Sequence, residues 1–482
     1  MNRPIMRLYM LVLVLFALLV AFTSRWTIFD AASLRENPLN KRALIEQARV
    51  QRGAIVAADG TVLARSLRTR EDTYERTYPT GEEFAQTIGY SYPFGVGRAA
   101  LERYRNAPLS GQSQGELQSI LDQFQGRPEK GDEVRTTLDP TAQQAALAGL
   151  GAHEGAVVAL VPSTGAVRVM ASTPSYDPNA LRTAASAAKV NEIAGSPRVN
   201  RAVQYGYAPG STFKVLTATA AIDTGRFTPS STLSGRNGIV VSGVPLSNDQ
   251  NESFGELTLT QALAKSVNTV WAQVAEQVGK STLDRYMRRF GFDAKPQLDY
   301  PAEEMSPSGE YEDQHGSERL LSPLSPQVDV GRMGIGQDKL RVTALQMAEV
   351  AAAVANRGRL MAPHLTARIV SPEGRIVQRI SPRVQSVVMK PSTATAVTSM
   401  MEAVVNEGTG VNARIPGVQV AGKTGTAETQ IGSALNNVWF IAFAPAANPT
   451  VAIAVTVKGV PGYGATYALP IARRVMEVLL HE

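Results

Sequence analysis

The chain is organised around one stretch, Tyr207-Ala208-Pro209-Gly210-Ser211-Thr212-Phe213-Lys214-Val215. A Pro-Gly pair interrupts whatever precedes it, and the residues that follow have helical composition, so Ser211 is predicted to lie at a helix N-terminus. Residues three apart share a helix face, which places the Lys214 amine beside the Ser211 hydroxyl. A serine hydroxyl is a poor nucleophile until an adjacent base takes its proton, and a lysine whose pKa is lowered is such a base.

The Ser-x-x-Lys pattern is weak by itself, because it occurs about once by chance in a chain of this length. A second copy is present at Ser186–Lys189. That copy lacks the Pro-Gly helix start and precedes a stretch broken by glycine and proline. Ser211 is therefore the preferred candidate.

Two further motifs follow in the chain. Ser266-Val267-Asn268 comes after a predicted helix, and Lys423-Thr424-Gly425-Thr426 comes after a strand-like run, Val418–Gly422. The Ser-x-Asn pattern alone is weak, whereas Lys-Thr-Gly is rarer and has one copy here. The order of the three motifs makes chance a poor explanation for all of them together.

Composition excludes several classes of protein. The 482 residues suffice for two or three domains, and 44% hydrophobic with 19% charged residues indicates a folded chain with a substantial core. The absence of cysteine excludes disulfides and thiol catalysis, and the four histidines match no metal-ligand spacing, so neither metal nor cofactor is expected. The net charge of +6 comes without a basic stripe, which argues against nucleic acid as a partner.

The N-terminus predicts a membrane anchor. An unbroken apolar run, Leu8–Phe22, is somewhat shorter than the roughly 20 residues of a usual span, but Thr23, Ser24 and Trp26 can extend it. A cleaved signal peptide is the alternative, yet no small-x-small site follows at once. Arg3 and Arg7 are expected to stay cytoplasmic, so we expect a single-pass protein of the cytoplasmic membrane with everything after residues 1–25 outside.

Periodicity predicts two domains after the anchor. Residues 26–145 are predicted to form a small, mixed unit with a strand–turn–strand at Gln51–Ala64. Residues 302–318 are acidic and are predicted to form a solvated surface loop. Residues 146–482 are predicted to be α+β, with one antiparallel sheet whose edge elements come from both ends of the domain, packed by helices. The elements behind this prediction are a hairpin of Gly155–Val161 and Ala166–Ala171, a hairpin of Val438–Ala444 and Thr450–Val457, and helices at Thr343–Asn356 and Pro470–Leu480.

The three motifs resemble the signature of penicillin-binding proteins and class A β-lactamases. The middle motif is Ser-Val-Asn rather than Ser-Asp-Asn, which disfavours the β-lactamases. Flanking stretches extend the similarity to Arg52–Ile55, Asn200–Ala202, Gly334–Gln337 and Val342–Ala348. The chain thus resembles a class B penicillin-binding protein, a peptidoglycan D,D-transpeptidase, most like the short actinobacterial PbpA type. The resemblance implies a penicillin-binding transpeptidase fold at 146–482 and a dimerisation or pedestal domain at 26–145.

The resemblance also implies roles for the residues that react. Ser211 attacks the carbonyl of the penultimate D-alanine of a stem peptide, and the terminal D-alanine leaves. Lys214 is the base, and the nearby Lys423 depresses its pKa. Ser266 relays a proton, and Asn268 holds the substrate backbone.

Further roles fall to the strand of the third motif. The backbone N–H groups of Ser211 and Thr426 form the oxyanion hole. The substrate carboxylate is received by Lys423, Thr424 and Thr426. Gly425, which has no side chain, leaves room for the substrate to pair with the strand.

The expected partners are peptidoglycan stem peptides, β-lactam antibiotics, the membrane and other cell-wall proteins, such as a glycosyltransferase of the elongation or division machinery. One alternative is a β-lactamase or β-lactam sensor, which predicts fast deacylation or extra membrane spans. Another is a non-catalytic scaffold, which has no need of the full residue set. A bifunctional class A protein requires a glycosyltransferase domain that the region before residue 150 is too small to hold.

Overall fold

The structure, a computed structural model, describes residues 3–25, 42–70, 73–112, 130–314, 317–429 and 433–481. Its first element is a helix at Arg3–Ser24, whose apolar side chains are exposed along its length. This helix is long and apolar enough to cross a membrane. The predicted interfacial Trp26 lies outside the described residues.

A five-stranded antiparallel sheet forms the centre of the larger domain. Its edges are Ala421–Glu428 and Val167–Thr173, which come from opposite ends of the domain. Asn436–Ala444, Val451–Val460 and Gly155–Leu160 lie between them in that order. Both predicted hairpins and the predicted origin of the edge strands are confirmed.

Helices cover both faces of this sheet. One core contains Trp439, Ile441 and Phe443 and is shared with the helix Ala344–Ala355. The alternate residues of the same strand point into a second core, which is shared with the helices Pro140–Leu150 and Ala468–Leu480. The alternation follows from the two-residue period of a strand. The predicted helices near 343–356 and 470–480 are therefore confirmed.

The smaller domain is built on a six-stranded sheet. The predicted strand–turn–strand near residues 51–64 is confirmed as Ile55–Val56 paired with Val62–Arg68. The sheet also takes in Thr366–Val370 and Ile376–Arg379 from far along the chain. The remaining strands of the sheet are Glu133–Thr136 and Tyr74–Thr77. The boundary near residue 145 remains a prediction, and strands from both of its sides build this sheet.

The acidic segment at 302–318 corrects a prediction. Gly309–Gln314 and Ser317–Leu321 pair as an antiparallel hairpin, so the segment is not simply a solvated loop. Glu310 is fully buried, and burial raises the pKa of its carboxyl to about 8. The composition of the segment did not indicate the burial of Glu310, since acidic residues usually indicate an exposed segment.

The other described elements surround these two sheets. Further helices are Arg42–Arg49, Ala85–Ile88, Ala100–Tyr104, Asn106–Leu109, Ala184–Glu192, Lys214–Asp223, Leu259–Ala264, Asn268–Val278, Lys280–Arg289, Val330–Gly334 and Pro391–Glu407. Further strands are Ser91–Tyr92, Gly97–Arg98, Thr232–Ser234, Ile239–Val241, Val244–Leu246, Glu256–Thr258, Leu340–Arg341, Arg359–Met361 and Val384–Val387.

Candidate active site

The Ser211 segment begins a buried helix. A 3₁₀ turn at Gly210–Phe213 leads directly into the helix Lys214–Asp223, as the Pro-Gly pair predicted. Gly210 has φ +52°, and a Cβ there would lie 2.4 Å from the Thr426 carbonyl oxygen. Only glycine combines this backbone conformation with so close an approach. The segment is thereby held against the edge strand of the central sheet.

Two aromatic residues, Trp439 and Tyr207, hold the same segment in place. The Trp439 indole Nε1 donates to the Ala208 carbonyl oxygen at 2.9 Å. The backbone of Tyr207 exchanges two hydrogen bonds with Val342, at 2.9 and 2.8 Å, and the Tyr207 ring meets Trp439 edge-on. The nucleophile segment is thus tied to the sheet on one side and to the chain before Thr343 on the other.

Lys214 lies at the centre of the site, fully buried. Its Nζ donates to Ser211 Oγ at 2.9 Å, to Asn268 Oδ1 at 2.6 Å and to the Ser266 carbonyl oxygen at 2.7 Å. Burial holds the pKa of Lys214 well below its usual range, and the charge of Lys423 lowers it further. A neutral amine beside the serine hydroxyl is what proton abstraction requires.

The Ser266 hydroxyl lies between two lysines. Lys423 Nζ donates to it at 2.9 Å, and Lys214 Nζ approaches it at 3.4 Å. Ser266 has φ +60°, a left-handed conformation that costs about 1–2 kcal/mol in a residue with a Cβ. Strain of this kind occurs at functional sites, where the surroundings fix an otherwise unfavourable geometry.

Lys423 comes from the edge strand Ala421–Glu428 and is also fully buried. Its Nζ donates to the Thr424 carbonyl oxygen at 2.9 Å as well as to Ser266. Burial lowers the pKa of Lys423 to about 7. Burial therefore lowers the pKa of both amines of the site.

Asn268 begins the helix Asn268–Val278, which turns its amide toward the cleft. Its Oδ1 accepts from Lys214, and its Nδ2 donates to the Ser247 carbonyl oxygen at 3.2 Å. The structure thus brings together all three motifs that the sequence singled out.

Gly425 has a packing role that the sequence did not reveal. A Cβ on it would lie 2.7 Å from the Pro209 carbonyl oxygen, 2.8 Å from Thr212 Cγ2 and 3.0 Å from Trp439 Cβ. The missing side chain therefore lets the nucleophile segment close onto the strand. This differs from the room for substrate that motivated the prediction.

Sequence reasoning missed two contributors to the third motif. Thr409 Oγ1 lies 2.6 Å from Thr424 Oγ1, and the Gly464 backbone N–H donates to Thr426 Oγ1 at 3.3 Å. Thr409 lies between two glycines and Gly464 lies in a glycine-rich run, but neither residue belongs to a recognisable motif. Their side-chain and backbone groups orient the two threonine hydroxyls.

The motifs open onto one cleft of about 1970 Å³. Ser211, Ser266, Asn268, Thr424 and Thr426 all line it. Its volume and its convergent polar groups suit the binding of a peptide.

The second Ser-x-x-Lys lies elsewhere. Ser186 is half-buried and forms a capping box with Thr183 at the start of the helix Ala184–Glu192, and Lys189 is exposed. Its serine caps a helix, which is the ordinary use of that residue type.

The chain matches two protein families. Residues 155–477 match the penicillin binding protein transpeptidase domain, and residues 52–134 match the penicillin binding protein A dimerisation domain. Peptidoglycan D,D-transpeptidase PbpA of Mycolicibacterium smegmatis is 34% identical over the whole of both chains. The protein of the same name from Mycobacterium tuberculosis H37Rv is 33% identical, over 100% of this chain and 99% of its own.

Solved structures agree with these matches. Penicillin-binding protein A of M. tuberculosis as a ceftriaxone acyl-enzyme superimposes with a TM-score of 0.82 at 32% identity, over 91% of this chain and 100% of that one. Its penicillin G acyl-enzyme gives a TM-score of 0.80 at 33% identity, over 89% of this chain and 100% of that one. The chain therefore belongs to the penicillin-binding protein family of peptidoglycan D,D-transpeptidases and resembles the PbpA type over its full length.

Proposed function

We propose that this chain cross-links peptidoglycan stem peptides through an acyl-enzyme on Ser211, and that β-lactams acylate the same hydroxyl. The observation that carries the proposal is the 2.9 Å contact between Lys214 Nζ and Ser211 Oγ, made by a lysine whose pKa burial lowers well below its usual range. Lys214 takes the Ser211 proton as Oγ attacks the carbonyl of the penultimate D-alanine. The terminal D-alanine then leaves as the amine.

The leaving amine needs a proton. In our proposal Ser266 delivers it, because this hydroxyl contacts both Lys214 and Lys423. A proton accepted by Lys214 can pass through Ser266 to the departing nitrogen. Lys423 holds the hydroxyl in place and makes Lys214 harder to protonate.

We assign the oxyanion hole to the backbone N–H groups of Ser211 and Thr426. The assignment is supported by the backbone contact between Gly210 and Thr426, which brings these two chain segments together. Donors fixed in advance stabilise the developing negative charge without reorganisation, and each is worth about 3–4 kcal/mol of barrier.

Substrate recognition is assigned to Asn268 and to the third motif. Asn268 offers an amide to the peptide backbone, with its Oδ1 engaged by Lys214. Thr424 and Thr426 line the cleft and would take the terminal carboxylate, with the charge of Lys423 behind them. Gly425 lies between them on the edge strand, where a substrate can add as a further strand.

We place the catalytic domain outside the cytoplasmic membrane, held by the helix Arg3–Ser24, with Arg3 and Arg7 inside. The chain has no cysteine, so one cysteine introduced at the exposed Ser230 gives a clean probe. A membrane-impermeant maleimide is expected to label it in intact cells. Labelling only after lysis would contradict this topology.

We also propose that partners of the cell-wall machinery, such as a glycosyltransferase of elongation or division, work beside this domain.

The activity is tested with the full-length protein in detergent. A peptide donor ending in D-Ala-D-Ala is mixed with an amine acceptor, and free D-alanine and the cross-linked product are measured. Both are expected from the wild type and neither from Ser211→Ala. Rapid hydrolysis of penicillin would favour a β-lactamase instead, and a wild type that releases no D-alanine would favour a scaffold.

A further inference from the structure

Asp249 is an exposed carboxylate in the catalytic cleft. It lines the cleft together with Ser211, Ser266 and Asn268. Among the residues that the structure describes, no lysine, arginine or histidine nitrogen forms a salt bridge within 4.0 Å of its carboxylate. By contrast, Asp329 in the same cleft is paired with Arg332 at 2.8 Å. Asp249 thus presents a carboxylate with no direct ion-pair partner among the described residues, in a cleft that Lys265, Arg332, Arg341 and Lys458 also line.

The loop around Asp249 is rigidly tied to the catalytic residues. Buried Asn248 accepts from the Thr269 N–H at 2.9 Å and donates to the Gly235 carbonyl oxygen at 3.0 Å. The Asn268 side chain donates to the Ser247 carbonyl oxygen. The two residues that precede Asp249 are therefore hydrogen-bonded to the start of the helix that carries Asn268, which positions Asp249 relative to the residues of the site.

Asp249 also reaches the opposite wall of the cleft. The Tyr463 hydroxyl lies 3.5 Å from Asp249 Oδ1, and the next residue, Gly464, binds the Thr426 hydroxyl. The carboxylate therefore stands between the Asn268 side and the Thr426 side, over the space that leads to Ser211.

The charges of the site determine how the position of Asp249 affects a cation that enters the cleft. Lys214 and Lys423 are both buried, and burial lowers the pKa of each, which reduces the positive charge at the centre of the site. Asp249 is the carboxylate whose charge opposes the lowering of the Lys214 pKa. A cation that enters the cleft is attracted to Asp249 before it meets the acylated serine.

We propose that Asp249 draws in and positions the cationic amine of the acceptor stem peptide. The proposal rests on the function proposed above, in which an amine resolves the acyl-enzyme. Amines are ammonium ions near neutral pH, so the acceptor must be bound as a cation and lose a proton before it reacts. Asp249 holds the ammonium at the mouth of the site, and the neutral Lys214 takes its proton.

The group transfer then balances. The neutral amine nitrogen attacks the carbonyl carbon of the Ser211 ester, and a C–N bond forms as the C–Oγ bond breaks. One of the two remaining amine protons passes to Ser211 Oγ, and the other stays on the amide nitrogen. The products are the amide cross-link and the free Ser211 hydroxyl, while Lys214 returns the proton it took to solvent.

The test uses the full-length protein and a small thioester donor that carries no amine, so Asp249 has no cation to contact on the donor. Acyl-enzyme is formed and partitioned between water and a D-alanine acceptor, and the two products are quantified. Asp249→Asn is expected to lower aminolysis, as kcat/KM for the acceptor, about fivefold at low salt. The loss should shrink as salt screens the charge. Acylation and hydrolysis without acceptor should stay within about twofold of the wild type when they are compared on their pH plateaus, where the effect of Asp249 on the Lys214 pKa no longer matters.

Matched variants complete the test. Glu252→Gln removes the same charge from an exposed residue of the same loop that does not line the cleft, and it should leave aminolysis unchanged. Asp249→Glu should restore most of the activity. Unchanged aminolysis in Asp249→Asn would overturn the proposal, and so would an equal fall in acylation. Selective slowing of acylation by an amine-bearing donor would also overturn it, by assigning the carboxylate to the donor. A wild type that forms no acyl-enzyme would refute the proposed function instead.

Discussion

Lys214 and Lys423 meet at a single hydroxyl group. Lys423 Nζ lies 2.9 Å from Ser266 Oγ and Lys214 Nζ lies 3.4 Å from it, although the two lysines come from a helix start and an edge strand. Both are fully buried, and burial lowers the pKa of each. One hydroxyl between two amines of lowered pKa provides a short path for a proton.

The first prediction concerns the pH dependence of acylation. The charge of Lys423 lowers the pKa of Lys214, so Lys423→Gln should raise that pKa and leave Lys214 protonated up to a higher pH. The acidic limb of the rate profile should therefore move to higher pH, and the plateau rate should fall. Acylation by a fluorescent penicillin, timed between about pH 5 and pH 10, measures both. A limb that stays in place or moves to lower pH would show that Lys423 does not tune Lys214.

A second prediction concerns the packing of Gly425. In Gly425→Ala the new methyl would lie within 2.7–3.0 Å of Pro209, Thr212 and Trp439, so the nucleophile segment must move away from the strand. A displacement of about 1 Å is expected to slow acylation about 10²-fold. Gly255→Ala is the control, because that glycine has open space around it. Equal acylation rates in both variants would contradict the packing role.

A third prediction tests Thr409. Thr409→Val keeps the shape of the side chain but removes the hydroxyl that lies 2.6 Å from Thr424 Oγ1. Loss of one hydrogen bond of about 1 kcal/mol should lower acylation roughly fivefold. The control is Thr395→Val, which alters an exposed hydroxyl on the helix Pro391–Glu407. If the two variants acylate alike, Thr409 does not orient the third motif.

The fourth prediction concerns stability. Glu349 lies in the fully buried helix Ala344–Ala355, and burial raises its pKa to about 8. Its Oε1 has no hydrogen-bond partner among the residues that the structure describes. Between its usual value of 4.5 and about 8 the folded protein keeps the proton that the unfolded chain releases, so stability falls as pH rises. The slope is at most about 1.4 kcal/mol per pH unit.

Glu349→Gln should remove this contribution, and its Tm should exceed that of the wild type increasingly from about pH 5 to pH 8. Thermal unfolding at several pH values measures the difference. Glu192→Gln, at an exposed helix end, should run parallel to the wild type. A Tm difference for Glu349→Gln that is constant with pH would show that Glu349 does not titrate in this window.

Local patterns were enough to predict the central sheet. The two hairpins have continuous apolar runs bounded by turn residues, and that signal does not depend on distant contacts. The pairing of Thr366–Val370 with Glu133–Thr136 depends on such a contact, and nothing in either stretch points to the other. The burial of Glu310 is of the same kind, because a tertiary environment overrides the composition of the segment.

The site divides in the same way. Ser211, Lys214, Ser266, Asn268 and Lys423 lie in short motifs, so their meeting could be predicted. Thr409, Asp249 and Tyr463 act through single side chains on loops whose positions are set by the fold. Their placement became visible only when the two walls of the cleft were assembled.

The central claim is that Ser211 is the residue that becomes acylated, and peptide mapping after labelling with a fluorescent penicillin tests it most directly. One labelled peptide, containing Ser211, is expected in the wild type and in Ser186→Ala, and no covalent label is expected in Ser211→Ala. Label that persists in Ser211→Ala, or that maps to Ser186, would contradict it.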